Sequence, residues 1–176
     1  MKPTRQKGEA PDLSAIHNRI FFRLFQAGNT LQRQAANQLG ISSVQWAVMG
    51  ALVRPRVANG MTVTELADYL VVSRQNLDGV LTRLERDRHV RRIPDDIDKR
   101  TRRVQLTEEG WRFWRELEER IADFYSQATL GFSFDDQITL AHFMTRLLNE
   151  LRSVDLDGEK GSVRKSPSRK SGRASR

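Results

Sequence analysis

The stretch TVTELADYLVVSRQNLDGVLTRLERDRHVRRIPDDIDKRTRRVQL, residues 62–106, decides the fold. Thr62 followed by Glu65 has the spacing of a capping box, and Met61 and Leu66 occupy the positions of a hydrophobic staple around it. A helix starts here. Ser73 supplies a second N-cap, with Val72 and Leu77 in its staple positions, so only Val71 and Val72 separate two helices. A turn that short forces a steep crossing. At 3.6 residues per turn Leu77, Val80, Leu81 and Leu84 fall on one side of the second helix, the side that must pack on the first. The opposite side carries Gln75, Gly79, Thr82 and Arg86, flanked by Asn76, Asp78 and Arg83.

Beyond that helix, Val90–Ile93 and Arg102–Leu106 are β-prone runs joined by the charged loop 94–101, which reads as a hairpin with no register fixed by its imperfect alternation. Two helices and a hairpin in this order predict a winged helix-turn-helix. The polar face of the second helix holds groups that exchange hydrogen bonds with base edges, and Arg74 in its first turn suits a phosphate. Taken alone, such a face is equally an ordinary solvated one. The hairpin adds weight: residues 83–103 hold nine Lys or Arg against five Asp or Glu. Asp98 is expected to hold the Arg100 guanidinium extended, the state in which an arginine enters a narrow minor groove. The expected DNA-contacting set is Ser73, Arg74, Gln75, Asn76, Asp78, Thr82, Arg83 and Arg86 on the helix, with Asp98, Lys99, Arg100 and Arg102 on the wing.

Charge is unevenly distributed. The formal net charge of +8 resides mostly in residues 158–176, which carry +6, and residues 13–157 come to about +1. Within that body, 13–82 sum to +3, 83–103 to +4 and 104–157 to −6, so positive charge gathers where a duplex would lie. The tail 158–176, rich in Ser, Gly, Lys and Arg, is expected to be disordered, as is a flexible segment 1–12. With no cysteine, disulfides, thiolate metal sites and thiol redox sensing are excluded. No run approaches a membrane span or a signal peptide, which predicts a cytoplasmic protein. His17, His89 and His142 are scattered, no Gly-rich phosphate loop is present, and neither an enzyme nor a metal or other cofactor site is expected.

The remaining helices are apolar on one side. Leu13, Ile16, Ile20, Leu24, Ala27 and Leu31 recur at spacings of three and four, predicting a helix over 13–38; Ser42 with Gln45 caps another that ends near Pro55. Thr107 opens a helix bearing Trp111, Trp114, Leu117 and Ile121, and a last one bears Ile138, Met144, Leu147, Leu148 and Leu151. The expected division is a DNA-binding lobe over 41–106 and dimerisation helices over 13–38 and 107–153, whose apolar faces pair across a two-fold axis. Such a dimer selects a pseudo-palindromic operator in double-stranded DNA.

The segments Thr62–Ala67, Ser73–Leu77, Leu84–Asp87, Asp95–Arg100 and Val104–Gly110 together resemble the multiple-antibiotic-resistance regulator (MarR) family across roughly residues 13–153. The resemblance implies a homodimeric repressor that places its second motif helix in the major groove and Arg100 in the minor groove, and that a small-molecule ligand releases. One departure stands out: where the family usually carries Lys-Gly-Leu, this chain has Arg88-His89-Val90. Arg88 must then take the left-handed conformation at some cost, or the helix must end differently. The resemblance also implies an effector pocket between dimer helices and lobe, for which His17, Arg19, Phe21, Trp46, Met49 and Trp111 are candidates suited to an aromatic carboxylate. Aromatic and Met residues at helical spacing are more often core. The competing functional reading is a winged-helix module that binds protein, or nucleic acid without sequence preference.

Overall fold

The computed structural model describes residues 13–57 and 59–156; the expected flexible segment 1–12 and basic tail 158–176 lie outside the described residues. The chain divides after Gln127 into two compact units. In the first, α1 (Leu13–Gln34) runs into a π-helical turn, Ala35–Leu39, followed by α2 (Ser43–Leu52), β1 (Met61–Thr62), α3 (Val63–Leu70), α4 (Arg74–Arg86), β2 (Val90–Pro94), β3 (Arg102–Leu106) and α5 (Glu108–Ala128). The second holds α6 (Phe134–Ser153). No described helix is long and apolar enough to cross a membrane.

The caps read from the sequence form as expected. Thr62 and Glu65, and Ser42 and Gln45, exchange the reciprocal bonds of capping boxes, while the Ser73 hydroxyl accepts from the Asn76 amide. Leu77, Val80, Leu81 and Leu84 are buried against Val48, Met49, Leu66 and Val104 in the core of the lobe. Strands β2 and β3 pair antiparallel with Val90 opposite Leu106, Arg91 opposite Gln105 and Arg92 opposite Val104. Burial sets this register: Val90, Val104 and Leu106 face the core, and Arg91 with Gln105 stands on the other face. The hairpin is part of a three-stranded sheet, because Met61 and Thr62 add to the far edge of β3 opposite Val104 and Arg103.

Both helices of the motif end in a left-handed residue that is not glycine. Val71 has φ 55°, and the Val72 amide returns to the Ala67 carbonyl at 3.1 Å; Arg88 has φ 60°, and the His89 amide returns to the Leu84 carbonyl at 2.8 Å. With the companion bonds from Val71 to Asp68 and from Arg88 to Glu85, each end is a Schellman motif. Arg88 thus takes the left-handed conformation that a glycine would adopt more cheaply, and helix α4 ends there. A β-branched residue is the most strained at such a φ. Val71→Gly is therefore expected to stabilise the lobe by about 1 kcal/mol, seen as a higher urea midpoint at unchanged m-value.

No residue of α1 is buried, although Leu13, Ile16, Ile20, Phe21, Phe22 and Phe25 lie along it; burial begins at Ala35 and Leu39 in the π-helical turn. Arg120 of α5 donates to the Gln38 carbonyl of that turn. Helix α6, opened by a Ser133 and Asp136 capping box, likewise buries none of its residues, with Ile138, Phe143, Met144 and Leu148 exposed.

Candidate nucleic-acid interface

Helix α4 presents Arg74, Gln75, Asn76, Asp78, Thr82, Arg83 and Arg86 to solvent, the side opposite the four buried aliphatics. Ser73, also exposed, is committed to capping the Asn76 amide, and Arg74 beside it is exposed. The Thr82 hydroxyl donates to the Asp78 carbonyl at 2.9 Å and keeps acceptor capacity for a base edge. Arg86 leans on the Asp87 carboxylate through Nε at 3.0 Å.

Asp78 has a different task. Its carboxylate lies 2.8 Å from Arg92 on β2, and Glu85, about two turns further along α4, lies 3.3 Å from the same guanidinium. Arg92 therefore joins the hairpin to α4. The Asp78 carboxylate, expected to meet DNA, is thus already paired to an arginine of the hairpin.

The wing loop is closed by two carboxylates. Asp95, buried, accepts the amides of Ile97 and Asp98 at 2.9 and 3.0 Å and pairs with Arg103 at 2.7 Å. Asp98 accepts the Arg100 amide and the Thr101 hydroxyl, both at 3.0 Å. Asp98 thus fixes the Arg100 backbone, not its guanidinium as the sequence reading expected; at a two-residue spacing the carboxylate reaches the amide first, as in an Asx turn. Lys99, Arg100 and Arg102 are exposed on this loop and its flank.

Arg103 ties the loop to the rest of the lobe. Besides Asp95 it donates to the carbonyls of Asn59 and Gly60 at 3.1 and 2.8 Å, just ahead of β1 and α3. The Arg103 hydrogen bond, helped by the Asp98 and Ile97 amides, holds the Asp95 carboxyl at about 2, below its ordinary 3.8. Asp95, Arg92 and Arg103 were not among the residues expected to matter. The Asx-turn spacing of Asp95 to Ile97 and Asp98 is visible in sequence; the partners of both arginines are not.

The effector candidates scatter. Trp111, partly exposed, lines a cavity of about 210 Å³ with Leu52, Val57, Gly60, Arg91 and Gln105. Trp46 packs edge-on against Phe124 and tilted on Tyr125, each with centroids 5.6 Å apart. His17, Arg19 and Phe21 stand exposed on α1. Met49 is fully buried between helices of the core, so no ligand reaches it without opening that core.

Comparison with known proteins accounts for this arrangement. A sequence model of the MarR family matches residues 39–101, the span from the π-helical turn to the wing. The transcriptional activatory protein BadR of Rhodopseudomonas palustris is 43% identical over 152 residues, covering 84% of this chain and 86% of that protein. The chain belongs to the MarR family. Its fold is that of solved MarR regulators: PcaV of Streptomyces coelicolor, crystallised with its natural ligand, superposes with a TM-score of 0.65 at 26% identity over 80% of this chain and 96% of PcaV. A cysteine-to-serine mutant of Escherichia coli MarR bound to operator DNA gives 0.63 at 27% identity over 72% of this chain and 91% of that one. As a MarR-family member the chain is a DNA-binding transcriptional regulator with a winged helix-turn-helix.

Proposed function

We propose that this MarR-family regulator binds a pseudo-palindromic operator as a homodimer, with α4 in the major groove and Arg100 in the minor groove, and that a small aromatic carboxylate controls its occupancy. The observation that carries this reading is the bracing of wing to reading helix: Arg92 joins β2 to Asp78 and Glu85 of α4, and Arg103 joins the loop to the start of α3. Helix and wing then move as one body, as a reader of two adjacent grooves must. The unburied apolar faces of α1 and α6 support pairing with a second copy, which sets two reading helices about 34 Å apart. PcaV with its ligand and MarR with its operator supply the analogy for effector and DNA. The family resemblance implied a repressor, whereas BadR is named an activatory protein. Occupancy is what these residues govern; its sign follows from where the operator sits relative to the promoter.

Selection of binding sites from random duplexes, followed by footprinting with and without a panel of aromatic acids, tests operator, symmetry and effector together. Arg86→Ala is expected to change base preference at one position of each half-site by about 1–3 kcal/mol, leaving other positions unaltered. An equal loss across all sequences would favour the module without sequence preference.

A further inference from the structure

Among the described residues of the lobe, the most exposed large apolar side chain is Ile97, 97% accessible at the tip of the wing. Its surroundings do not let it fold back. The Ile97 amide is held by Asp95 at 2.9 Å, the next amide by the same carboxylate, and the loop is closed by bonds from the Asp95 amide to the Thr101 carbonyl and from the Thr101 amide to the Asp98 carbonyl, each 2.9 Å. Ile97 and Arg100 are thus carried three residues apart on one fixed loop, and Ile97, branched at Cβ, has few rotamers to lose on contact. The adjoining Asp96 carboxylate lies 3.9 Å from the Lys99 ammonium, which offsets its charge beside a duplex.

We propose that Ile97 is a specificity-determining residue, lying in the minor groove beside Arg100 and disfavouring G·C pairs there because it offers the guanine 2-amino group no acceptor. The inference rests on the placement of the wing proposed above. In the minor groove A·T pairs show acceptors alone, which the donors of Arg100 serve; a G·C pair adds the amino donor. A guanidinium has no acceptor and an isoleucine has neither donor nor acceptor, so this amine loses its water and gains nothing. Arg100 draws the wing to a narrow groove, and Ile97 penalises the pair that fills its floor.

The test measures the affinity of the full chain and of Ile97→Asn for the selected operator carrying A·T, inosine·C or G·C at the wing-contacted steps. Inosine lacks the 2-amino group. For the unsubstituted chain, G·C is expected to weaken binding about tenfold relative to A·T, with inosine·C within about twofold of A·T. Asparagine supplies an acceptor, so for Ile97→Asn the G·C penalty is expected to fall to about threefold or less. An unchanged penalty in Ile97→Asn, or none in the unsubstituted chain, overturns the role of Ile97 while operator binding stands. If no operator sequence is preferred at all, the function proposed above fails first. Ile97 is almost wholly solvent-exposed, so the substitution leaves the fold to report cleanly.

Discussion

Gly110→Ala is expected to destabilise the protein by at least about 3 kcal/mol, an overpacking cost at the high end because backbone, not a flexible side chain, is in the way. A Cβ at position 110 would sit 2.0 Å from the His89 carbonyl oxygen and 2.9 Å from its carbon. That carbonyl is already committed, accepting the Thr107 amide at 3.1 Å, while the Thr107 hydroxyl donates to the Arg88 carbonyl and accepts the Gly110 amide at 2.9 Å. The first turn of α5 is therefore sewn onto the left-handed exit of α4 with no slack. Thermal unfolding followed by circular dichroism should show a midpoint lowered by about 10 °C. Gly79→Ala is the matched control: nothing lies within 4 Å of a Cβ there, and removing a mid-helix glycine from α4 should raise stability by about 0.5–1 kcal/mol. A midpoint for Gly110→Ala within about 2 °C of the unsubstituted protein would show that α5 can slide away from His89, and that its first turn is not fixed to the exit of α4.

What could be read from residues alone follows how local each feature is. The caps at Ser42, Thr62 and Ser73 and the buried stripe Leu77, Val80, Leu81 and Leu84 depend on neighbours within one or two turns, and the sequence shows them all. Strand β1 has two residues, too few to display a period of two, and it exists because the β3 edge offers unpaired amides and carbonyls. Gly60, with φ +74° and its hydrogen facing the Val104 carbonyl, permits that approach. Arg103 finds Asn59 and Gly60 across more than forty residues of chain, and Arg92 finds Asp78 and Glu85 across a helix end. Such pairings are tertiary, and charge counting sees only that arginines abound. Asp98 misleads for the opposite reason: a backbone amide two residues away wins over a long side chain that must be immobilised. Met49 misleads because an unbranched thioether suits a ligand wall and a packed core equally.

Arg103→Ala is expected to weaken operator binding on the order of 30-fold, although Arg103 need touch no nucleotide. Its guanidinium fork serves the carbonyls of Asn59 and Gly60 and the Asp95 carboxylate together, and Asp95 in turn holds the Ile97 and Asp98 amides. Without Arg103 a buried carboxylate loses its cation, and the loop bearing Lys99 and Arg100 loses its fixed direction. Arg103→Lys should recover part of the affinity, since an ammonium keeps the charge but cannot span three acceptors in one plane. Loss of protection at the Ile97 and Asp98 amides in hydrogen exchange, with the amides of α4 unchanged, would separate a loosened wing from a general unfolding. The sign with pH is fixed by the depressed carboxyl. Because Asp95 sits at about 2 in the folded chain against an ordinary 3.8, its contribution to wing order is whole above 3.8 and disappears as pH falls through about 2. Operator affinity should then show no Asp95-linked change between roughly pH 5 and 9, and Asp95→Asn at neutral pH should reproduce the acid state. In a double-mutant cycle, Asp95→Asn and Arg103→Ala together should cost little more than Arg103→Ala alone. Fully additive losses would mean that the two residues act on the duplex separately, and that the wing is held to the lobe by something other than this pair.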